Sequence, residues 1–232
     1  MILKKIESWF DKLEESLKNR VEPEIPRYRR ATIESNTYHQ IDAIRRYMNL
    51  KRKTKLLEIG CEQGEFTFHA NHHCKVFGVD TSLNLIAHNP VKRKALMNPL
   101  ELAFPDDAFD IVVSRHILHQ VHDIHGAMEE MKRVSRRIVL IAEPNRNHPL
   151  NLLSGMVKPK IKSKLNALRI SPCFLPKLAK RHGLRVLEAS TYGFLIPAYT
   201  PRSALFALRM TRINQPFGYE SLVVTEKPPY KS

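Results

Sequence analysis

The chain has 232 residues, of which 43% are hydrophobic and 26% are charged, and its formal net charge is +15 at pH 7. This length suits one domain with a well-buried core, and the sequence has no run of eighteen apolar residues that would predict a membrane span. Its three cysteines, Cys61, Cys74 and Cys173, are too scattered for a disulfide framework. We therefore expect reduced thiols and a cytoplasmic protein. The amino-terminal residues have no long apolar core, so no secretory signal is predicted.

The positive charge is concentrated in the last third of the chain. Residues 145–232 contain 15 Lys and Arg against 3 Asp and Glu, whereas residues 54–144 contain 10 against 12. Such a basic region favours an anionic partner, which could be nucleic acid, a phosphate-bearing substrate or an acidic membrane surface. A solvated basic surface without a partner is the alternative that composition leaves open.

The first third of the chain is predicted to be helical. Apolar residues at helical spacing predict a helix over 2–19, which Pro23 and Pro26 bring to an end. A second helix is predicted over 36–49, and it leads into the basic run KRKTK.

The remainder of the chain alternates between strand and helix patterns. The β-rich runs are KLLEIG, KVFGVD, DIVVS and RIVLIAE, and helical patterns lie between them near 64–72, 81–88 and 122–134. Further helices are predicted over 150–168 and 174–182, with Gly183 capping the second, and further strands near 184–191 and 220–226. This alternation predicts βαβ units, hence a doubly wound, mostly parallel sheet with helices on both faces.

The first strand leads into a glycine-containing turn, LLEIGCEQGEF, at residues 56–66. Gly60 and Gly64 would let the backbone approach a ligand closely and adopt positive φ. Ligands of doubly wound sheets bind at the carboxyl ends of the strands. The next strand ends in Asp80, whose carboxylate can accept hydrogen bonds from both hydroxyls of a ribose. This pairing indicates an adenosine-containing cofactor. Asp80 could also be the N-cap of the helix that follows, and the two roles are compatible.

Four segments resemble, in order and spacing, the motifs of class I S-adenosylmethionine-dependent methyltransferases. They are LLEIGCEQGEF, FGVDTS, MNPLELAFPDDAFDIVVSRHILHQVHD and RRIVLIAEPN. The resemblance covers residues 54–145 and is to the group that includes quinone, small-molecule and lipid methyltransferases; FGYESLVVTEKP resembles the last strand of that group. It implies an α/β Rossmann-like fold with a seven-stranded sheet, N-terminal helices and a basic C-terminal helical insertion.

The same resemblance divides one domain into three regions. Residues 1–53 would form a helical cap, residues 54–145 the cofactor-binding core, and residues 146–232 a substrate-side segment with the last strands. S-adenosylmethionine would be the cofactor, and Asp80 would hold its ribose. The other implied cofactor residues are Glu58, Gly60, Cys61 and Gly64 on the methionine side, Thr81, Ser82, Asn98, Pro99 and Leu100 around the adenine, and Ser114 and Arg115 near the sulfonium. Asn98 replaces an aspartate common in the family, but its side-chain carbonyl can still accept a hydrogen bond.

Glu62 departs from the family pattern, because the turn usually has a glycine there. A residue with a side chain should avoid positive φ or accept strain of about 1 kcal/mol or more. The Glu62 carboxylate could repel the carboxylate of the cofactor or pair with its amino group. Retained binding is favoured, since Gly60, Gly64 and Asp80 remain. A degenerate site in a non-catalytic binding protein is the alternative.

The histidines that follow the fourth motif strand are the candidate catalytic residues. Methyl transfer from a sulfonium needs in-line alignment, desolvation and, for hydroxyl or carbon acceptors, a base. His116 and His119 are the predicted bases. Together with His122 and His125 they recur every three residues, a spacing that drifts by about 60° per step around a helix. The sequence therefore predicts no metal site.

The predicted acceptor is a small molecule or a lipid-linked compound. The apolar segments after residue 149 are interspersed with basic residues, namely Lys158, Lys160, Lys162, Lys164, Arg169, Arg202, Arg209 and Arg212. This combination suits an amphiphilic anionic acceptor or peripheral contact with an acidic membrane surface. It would also suit an insertion that only packs over the site. An RNA methyltransferase is disfavoured, because no RNA-binding motif is recognisable and aromatic residues do not alternate with the basic ones.

Overall fold

The computed structural model describes residues 31–157, 166–193 and 218–229. Its helices are α1 (Ala31–Arg45), α2 (Glu65–Ala70), α3 (Leu83–Ala87), α4 (Ile124–Val134), α5 (Pro149–Val157) and α6 (Phe174–Arg181). Its strands are β1 (Lys55–Ile59), β2 (Lys75–Asp80), β3 (Lys94–Leu96), β4 (Phe109–Arg115), β5 (Ser135–Pro144), β6 (Arg185–Tyr192) and β7 (Glu220–Glu226). The helix predicted over 2–19, the four lysines between 158 and 164, and Arg202, Arg209 and Arg212 lie outside the described residues.

The strands form one seven-stranded sheet in the order β3-β2-β1-β4-β5-β7-β6. Strand β7 is antiparallel to both of its neighbours, and the other pairs are parallel. The first strand, β1, lies in the middle of the sheet. Strands β2 and β3 follow on one side of it, and β4 begins the other side. The switch point between β1 and β4 is where open α/β sheets bind ligands. The predicted doubly wound, mostly parallel sheet is confirmed.

Helices cover both faces of the sheet, which explains why its central strands are apolar on both sides. Leu57 and Ile59 of β1 face a core that includes Met128 of α4. Their neighbour Leu56 faces a second core with Ile41 of α1 and Phe66 of α2. No helix within the described ranges is long and apolar enough to cross a membrane.

Most predicted elements are present, with shifted ends. Helix α1 begins before the predicted range of 36–49 and ends before its end, and helix α5 covers Pro149–Val157 of the predicted range of 150–168, of which residues 158–165 lie outside the described residues. Strand β3 was not predicted, because it has three residues and only partial burial. Gly183 follows α6 with φ +73, so the predicted left-handed residue at this helix end is confirmed.

Five charged residues lie together at the end of the sheet where the parallel strands have their carboxyl ends. The parallel strands β1, β2, β4, β5 and β6 end there, and the antiparallel strand β7 begins there. The residues brought together at this end of the sheet, although far apart in the sequence, are Glu58, Asp80, Arg115, Glu143 and Glu220.

Candidate active site

The turn after β1 has an alternating left-handed backbone. Gly60 has φ +79, Glu62 has φ +40 and Gly64 has φ +92. The N–H groups of Gly60 and Cys61 both donate to the carbonyl of Val79, over 2.8 and 3.0 Å. Glu62 was expected either to avoid positive φ or to accept the strain of adopting it. It adopts positive φ. The surrounding hydrogen bonds hold this turn against the end of β2.

Asp80 connects the turn after β1 with the turn that follows its own strand, β2. Its Oδ2 accepts the N–H of Glu62 over 2.9 Å, and its Oδ1 accepts the N–H of Ser82 over 2.8 Å. The side chain is almost buried, with 8% of the residue exposed. Ser82, whose hydroxyl accepts from Leu85 N, is the N-cap of α3. The predicted role of Asp80 as that cap is therefore wrong.

The remaining residues predicted around the adenine lie beside this turn. Asn98 Oδ1 accepts the N–H of Leu100 over 3.1 Å, so its side chain closes a local turn, and Pro99 is buried. Thr81 is exposed. The thiol of Cys61 is buried, and this burial raises its pKa above the ordinary range. Cys61 therefore packs within the turn, and its predicted contact with the cofactor stays a prediction.

Glu58 and Arg115 form a buried ion pair across the β1–β4 switch point. Arg115 Nη1 lies 3.5 Å from Glu58 Oε1, and Nη2 lies 3.6 Å from Glu65 Oε2. Neither Glu58 oxygen nor Arg115 Nε has a hydrogen-bond partner within the described residues. Burial raises the pKa of Glu58 to about 8, and the guanidinium limits that shift. Burial opposes the charge of Arg115, but Glu58 and Glu65 outweigh it and raise the pKa of Arg115.

His116 faces a carboxylate from the far end of the chain. Its backbone has φ +56, and its Nε2 lies 3.5 Å from Glu220 Oε1. The other Glu220 oxygen, Oε2, accepts hydrogen bonds from Gln40 Nε2, over 3.2 Å, and from the Tyr192 hydroxyl. Burial disfavours the imidazolium, but Glu220 outweighs it and raises the pKa of His116. In turn, burial disfavours the Glu220 charge, but His116 and Arg115 hold the pKa of Glu220 at about 2.

His119 pairs with a different carboxylate. Its Nδ1 lies 2.7 Å from Glu143 Oε2, and the other Glu143 oxygen accepts the N–H of Leu118 over 2.7 Å. Glu143 is fully buried near the end of β5. The rings of His116 and His119 are 6.2 Å apart, so the two predicted bases occupy one loop but have separate partners.

The histidine loop lies directly on the glycine turn. A Cβ built on Gly60 would come within 2.5 Å of Ile117 Cδ1 and 3.1 Å of the Arg115 carbonyl. Because of this contact, the candidate bases and the candidate cofactor residues form one site. The other two histidines of the run lie elsewhere: His122 is exposed, and His125 Nδ1 is 2.9 Å from His182 Nε2.

Five site residues were not identified from the sequence. They are Gln40, Glu65, Glu143, Tyr192 and Glu220. A signal existed for Glu143, which is the one acid of strand β5 and follows its apolar run IVLIA. Glu220 gave a weaker signal as the first residue of β7, because that strand also contains Glu226. Among the described residues, no group of three or more His, Cys, Asp or Glu could hold a metal ion.

Comparison with known proteins gives one consistent family. A family described as a methyltransferase domain matches residues 28–189. The phosphatidylethanolamine N-methyltransferase of Cereibacter sphaeroides is 31% identical over 96 residues, which are 37% of this chain and 47% of that protein. The demethylmenaquinone methyltransferase of Geobacillus stearothermophilus is 31% identical over 108 residues, which are 41% of this chain and 46% of that protein. The chain thus spans just under half the length of these two curated relatives.

The fold comparison covers almost the whole chain. The crystal structure of a SAM-dependent methyltransferase from Thermotoga maritima has a TM-score of 0.66 and 18% identity, over 97% of this chain and 99% of that one. At this identity the likeness concerns the fold, which is the Rossmann-like methyltransferase fold. The family match extends over more than half of the sequence, in agreement with the four ordered motifs. The chain therefore belongs to the methyltransferase-domain family.

Proposed function

We propose that this protein transfers a methyl group from S-adenosylmethionine to a small-molecule or lipid-linked acceptor. The observation that carries the proposal is the pairing of Asp80 with the β1 turn, because two backbone N–H groups hold the carboxylate at the end of β2, beside that turn. Each of its oxygens keeps lone-pair capacity for a ribose hydroxyl. This geometry supports the proposal that Asp80 binds the ribose of an adenosine-containing ligand.

The polar groups beside Asp80 fit the other end of this cofactor. S-adenosylmethionine carries a positive α-ammonium and sulfonium and a negative α-carboxylate. Glu58 has two buried oxygens without hydrogen bonds, and Arg115 Nε is likewise without one in the described part of the chain. A buried acid and a buried cation that lack hydrogen bonds are costly unless a ligand satisfies them. We propose that Glu58 receives the ammonium and Arg115 the carboxylate.

The cofactor, when bound, supplies a methyl group that is already activated by the sulfonium. The task of the protein is then to bind, to align the acceptor and to exclude water. Asp80, Glu58 and Arg115 would hold the cofactor, with Asn98, Pro99 and Leu100 at the adenine. The histidine loop, which contacts Gly60 through Ile117, would border the acceptor side.

The acceptor class follows from the relatives and from the composition. One relative is named for phosphatidylethanolamine and the other for demethylmenaquinone. The basic and apolar segments beyond residue 145 suit such amphiphilic acceptors. We propose a cytoplasmic protein, with a helical cap over 1–53, that contacts acidic membrane surfaces peripherally.

Two experiments test this proposal. Isothermal titration calorimetry with S-adenosylmethionine and S-adenosylhomocysteine should give binding of both; binding of neither would leave only the non-catalytic alternative. Flotation with vesicles that contain phosphatidylglycerol, compared with an RNA gel shift across the same salt series, distinguishes lipid-linked from RNA acceptors. We expect flotation and only weak, salt-sensitive RNA binding.

A further inference from the structure

We propose that Glu143 is the positioning residue that makes His119 the general base, and that the acceptor carries an ionisable hydroxyl group. The inference rests on the proposed function and names the acceptor chemistry of the same site. It starts from the pair between His119 Nδ1 and Glu143 Oε2, which are 2.7 Å apart.

The hydrogen bonds of Glu143 determine which nitrogen of His119 carries the proton. An ionised carboxylate only accepts hydrogen bonds, so the Nδ1 that faces it must be the protonated nitrogen. In the neutral ring Nε2 is then an acceptor. Within residues 31–157, 166–193 and 218–229, the His119 ring is hydrogen-bonded through Nδ1 alone. The ring therefore offers a free basic nitrogen on the side away from Glu143.

The same carboxylate also fixes where the ring lies. Its second oxygen accepts from the backbone N–H of Leu118, whose side chain is buried in the core. Two neighbouring residues are thus tied to one fully buried acid. The side chain of His119 itself is 11% exposed, so it lies at the surface of the site rather than within the core. A base needs this combination of fixed orientation and residual access.

His116, the other predicted base, has a different environment. Its Nε2 faces Glu220, and Gln40 and Tyr192 hold that carboxylate in place. The raised pKa of His116 favours the imidazolium, which cannot accept a proton. The Nε2 of His116 therefore faces Glu220, and His119 is left as the base of the loop.

A positioned base is needed during methyl transfer when the neutral acceptor is a poor nucleophile, as a hydroxyl is and a neutral amine is not. The proton of the acceptor hydroxyl moves to His119 Nε2. The electron pair released, on the oxygen or on a carbon conjugated with it, forms the bond to the methyl carbon. The carbon–sulfur bond breaks, and its electron pair stays on sulfur as a neutral thioether. His119 then loses its extra proton to solvent.

The decisive variant is Glu143→Gln. Its amide oxygen is needed by the Leu118 N–H, so the amide NH₂ group faces His119 Nδ1 and donates to it. That forces the ring proton onto Nε2 and removes the base, while size and packing are kept. The matched control is Glu129→Gln, which makes the same change at the pair of Glu129 Oε1 with His182 Nδ1, 2.6 Å apart.

Ring ¹⁵N NMR of histidine-labelled protein reports this tautomer without cofactor or substrate. We expect neutral His119 as the Nδ1–H form in the wild type and as the Nε2–H form in Glu143→Gln. Glu129→Gln should leave the His119 signals unchanged. An Nε2–H form in the wild type, or the same tautomer in both proteins, would overturn the role of Glu143. These spectra need no cofactor. A protein that does not bind the cofactor in calorimetry would contradict the proposed function, whatever the tautomer of His119.

Methyl transfer from isotope-labelled S-adenosylmethionine tests the acceptor class. A naphthohydroquinone and ethanolamine serve as probes with a hydroxyl and with an amine. We expect transfer to the hydroquinone, with kcat reduced about 100-fold or more by Glu143→Gln and unchanged by Glu129→Gln. Methyl transfer to the ethanolamine nitrogen at a rate that Glu143→Gln does not change would overturn the proposed acceptor class. So would the absence of transfer to the hydroquinone by protein that binds the cofactor.

Discussion

The backbone N–H of Glu62 donates to Asp80 Oδ2 over 2.9 Å. The residue that departs from the usual glycine pattern is thus bonded, through its backbone, to the carboxylate proposed to hold the ribose. A glycine could make the same hydrogen bond, because only the main chain takes part. The Glu62 side chain and the Glu62 backbone therefore have separable effects.

Replacing Asp80 tests where the cofactor binds. Asp80→Ala should weaken S-adenosylmethionine binding at least tenfold, about 1.4 kcal/mol, because it removes the proposed ribose acceptor and releases the N–H groups of Glu62 and Ser82. Asp80→Asn is the matched control, since it keeps the shape and one acceptor oxygen, and its loss should be smaller. Calorimetry measures both. Unchanged affinity in the alanine variant would mean that the ribose lies elsewhere.

Replacing Glu62 by glycine should stabilise the turn without weakening the binding of the cofactor. The positive φ of +40 carries strain of order 1 kcal/mol for a residue with a Cβ, and the hydrogen bond to Asp80 is retained. We expect a higher midpoint of urea unfolding and equal or tighter S-adenosylmethionine binding. Glu62→Ala removes the carboxylate but keeps the Cβ, so it separates charge from strain. Weaker binding in both variants would identify the carboxylate as a cofactor contact.

Gly60→Ala tests the contact between the glycine turn and the histidine loop. The new Cβ would meet Ile117 Cδ1 at 2.5 Å, and the backbone would keep φ +79. We expect a loss of about 1–3 kcal/mol in the free energy of unfolding, measured by urea denaturation. Adding Ile117→Ala should recover the steric part and leave the backbone part. If the second substitution only adds its own cost, the loop does not lie on the turn as described.

The His116–Glu220 pair should make stability depend on pH. The native pKa of Glu220 is about 2, below its ordinary 4.5, so the unfolded chain takes up a proton first. Its contribution is present above pH 4.5 and is lost as the pH falls towards 2. The raised pKa of His116 acts in the opposite sense, so that contribution is present below 6.5 and is lost as the pH rises through the raised value.

Urea unfolding of Glu220→Gln across pH 3 to 9 measures this dependence. We expect the variant to lose most stability relative to wild type near pH 5 to 6 and less at pH 3. Glu188→Gln is the matched control, because Glu188 pairs with Arg46 on the surface, where an ion pair contributes little. A constant difference between wild type and Glu220→Gln at all pH values would contradict the pairing.

Much of the fold is readable from the sequence because its signals are local. The runs KLLEIG and RIVLIAE are apolar on both faces, which predicts buried parallel strands, and Gly60 and Gly64 mark the turn of positive φ. Strand β3 escaped prediction for the corresponding reason. Its two half-buried residues and one exposed residue, in an edge strand, carry no apolar pattern.

The family and the candidate cofactor residues were determined by the sequence itself, because ordered motifs at the ends of neighbouring strands follow from chain order. The partners of the two histidines were decided only by the tertiary structure. Glu143 is 24 residues from His119, and Gln40 is 180 residues from the Glu220 that it binds. Their meeting depends on the strand order, in which β5 lies beside β4 and β7 returns antiparallel to the same edge. Sequence spacing identifies two histidines in one loop, but only their buried carboxylate partners distinguish the proposed base, His119, from His116.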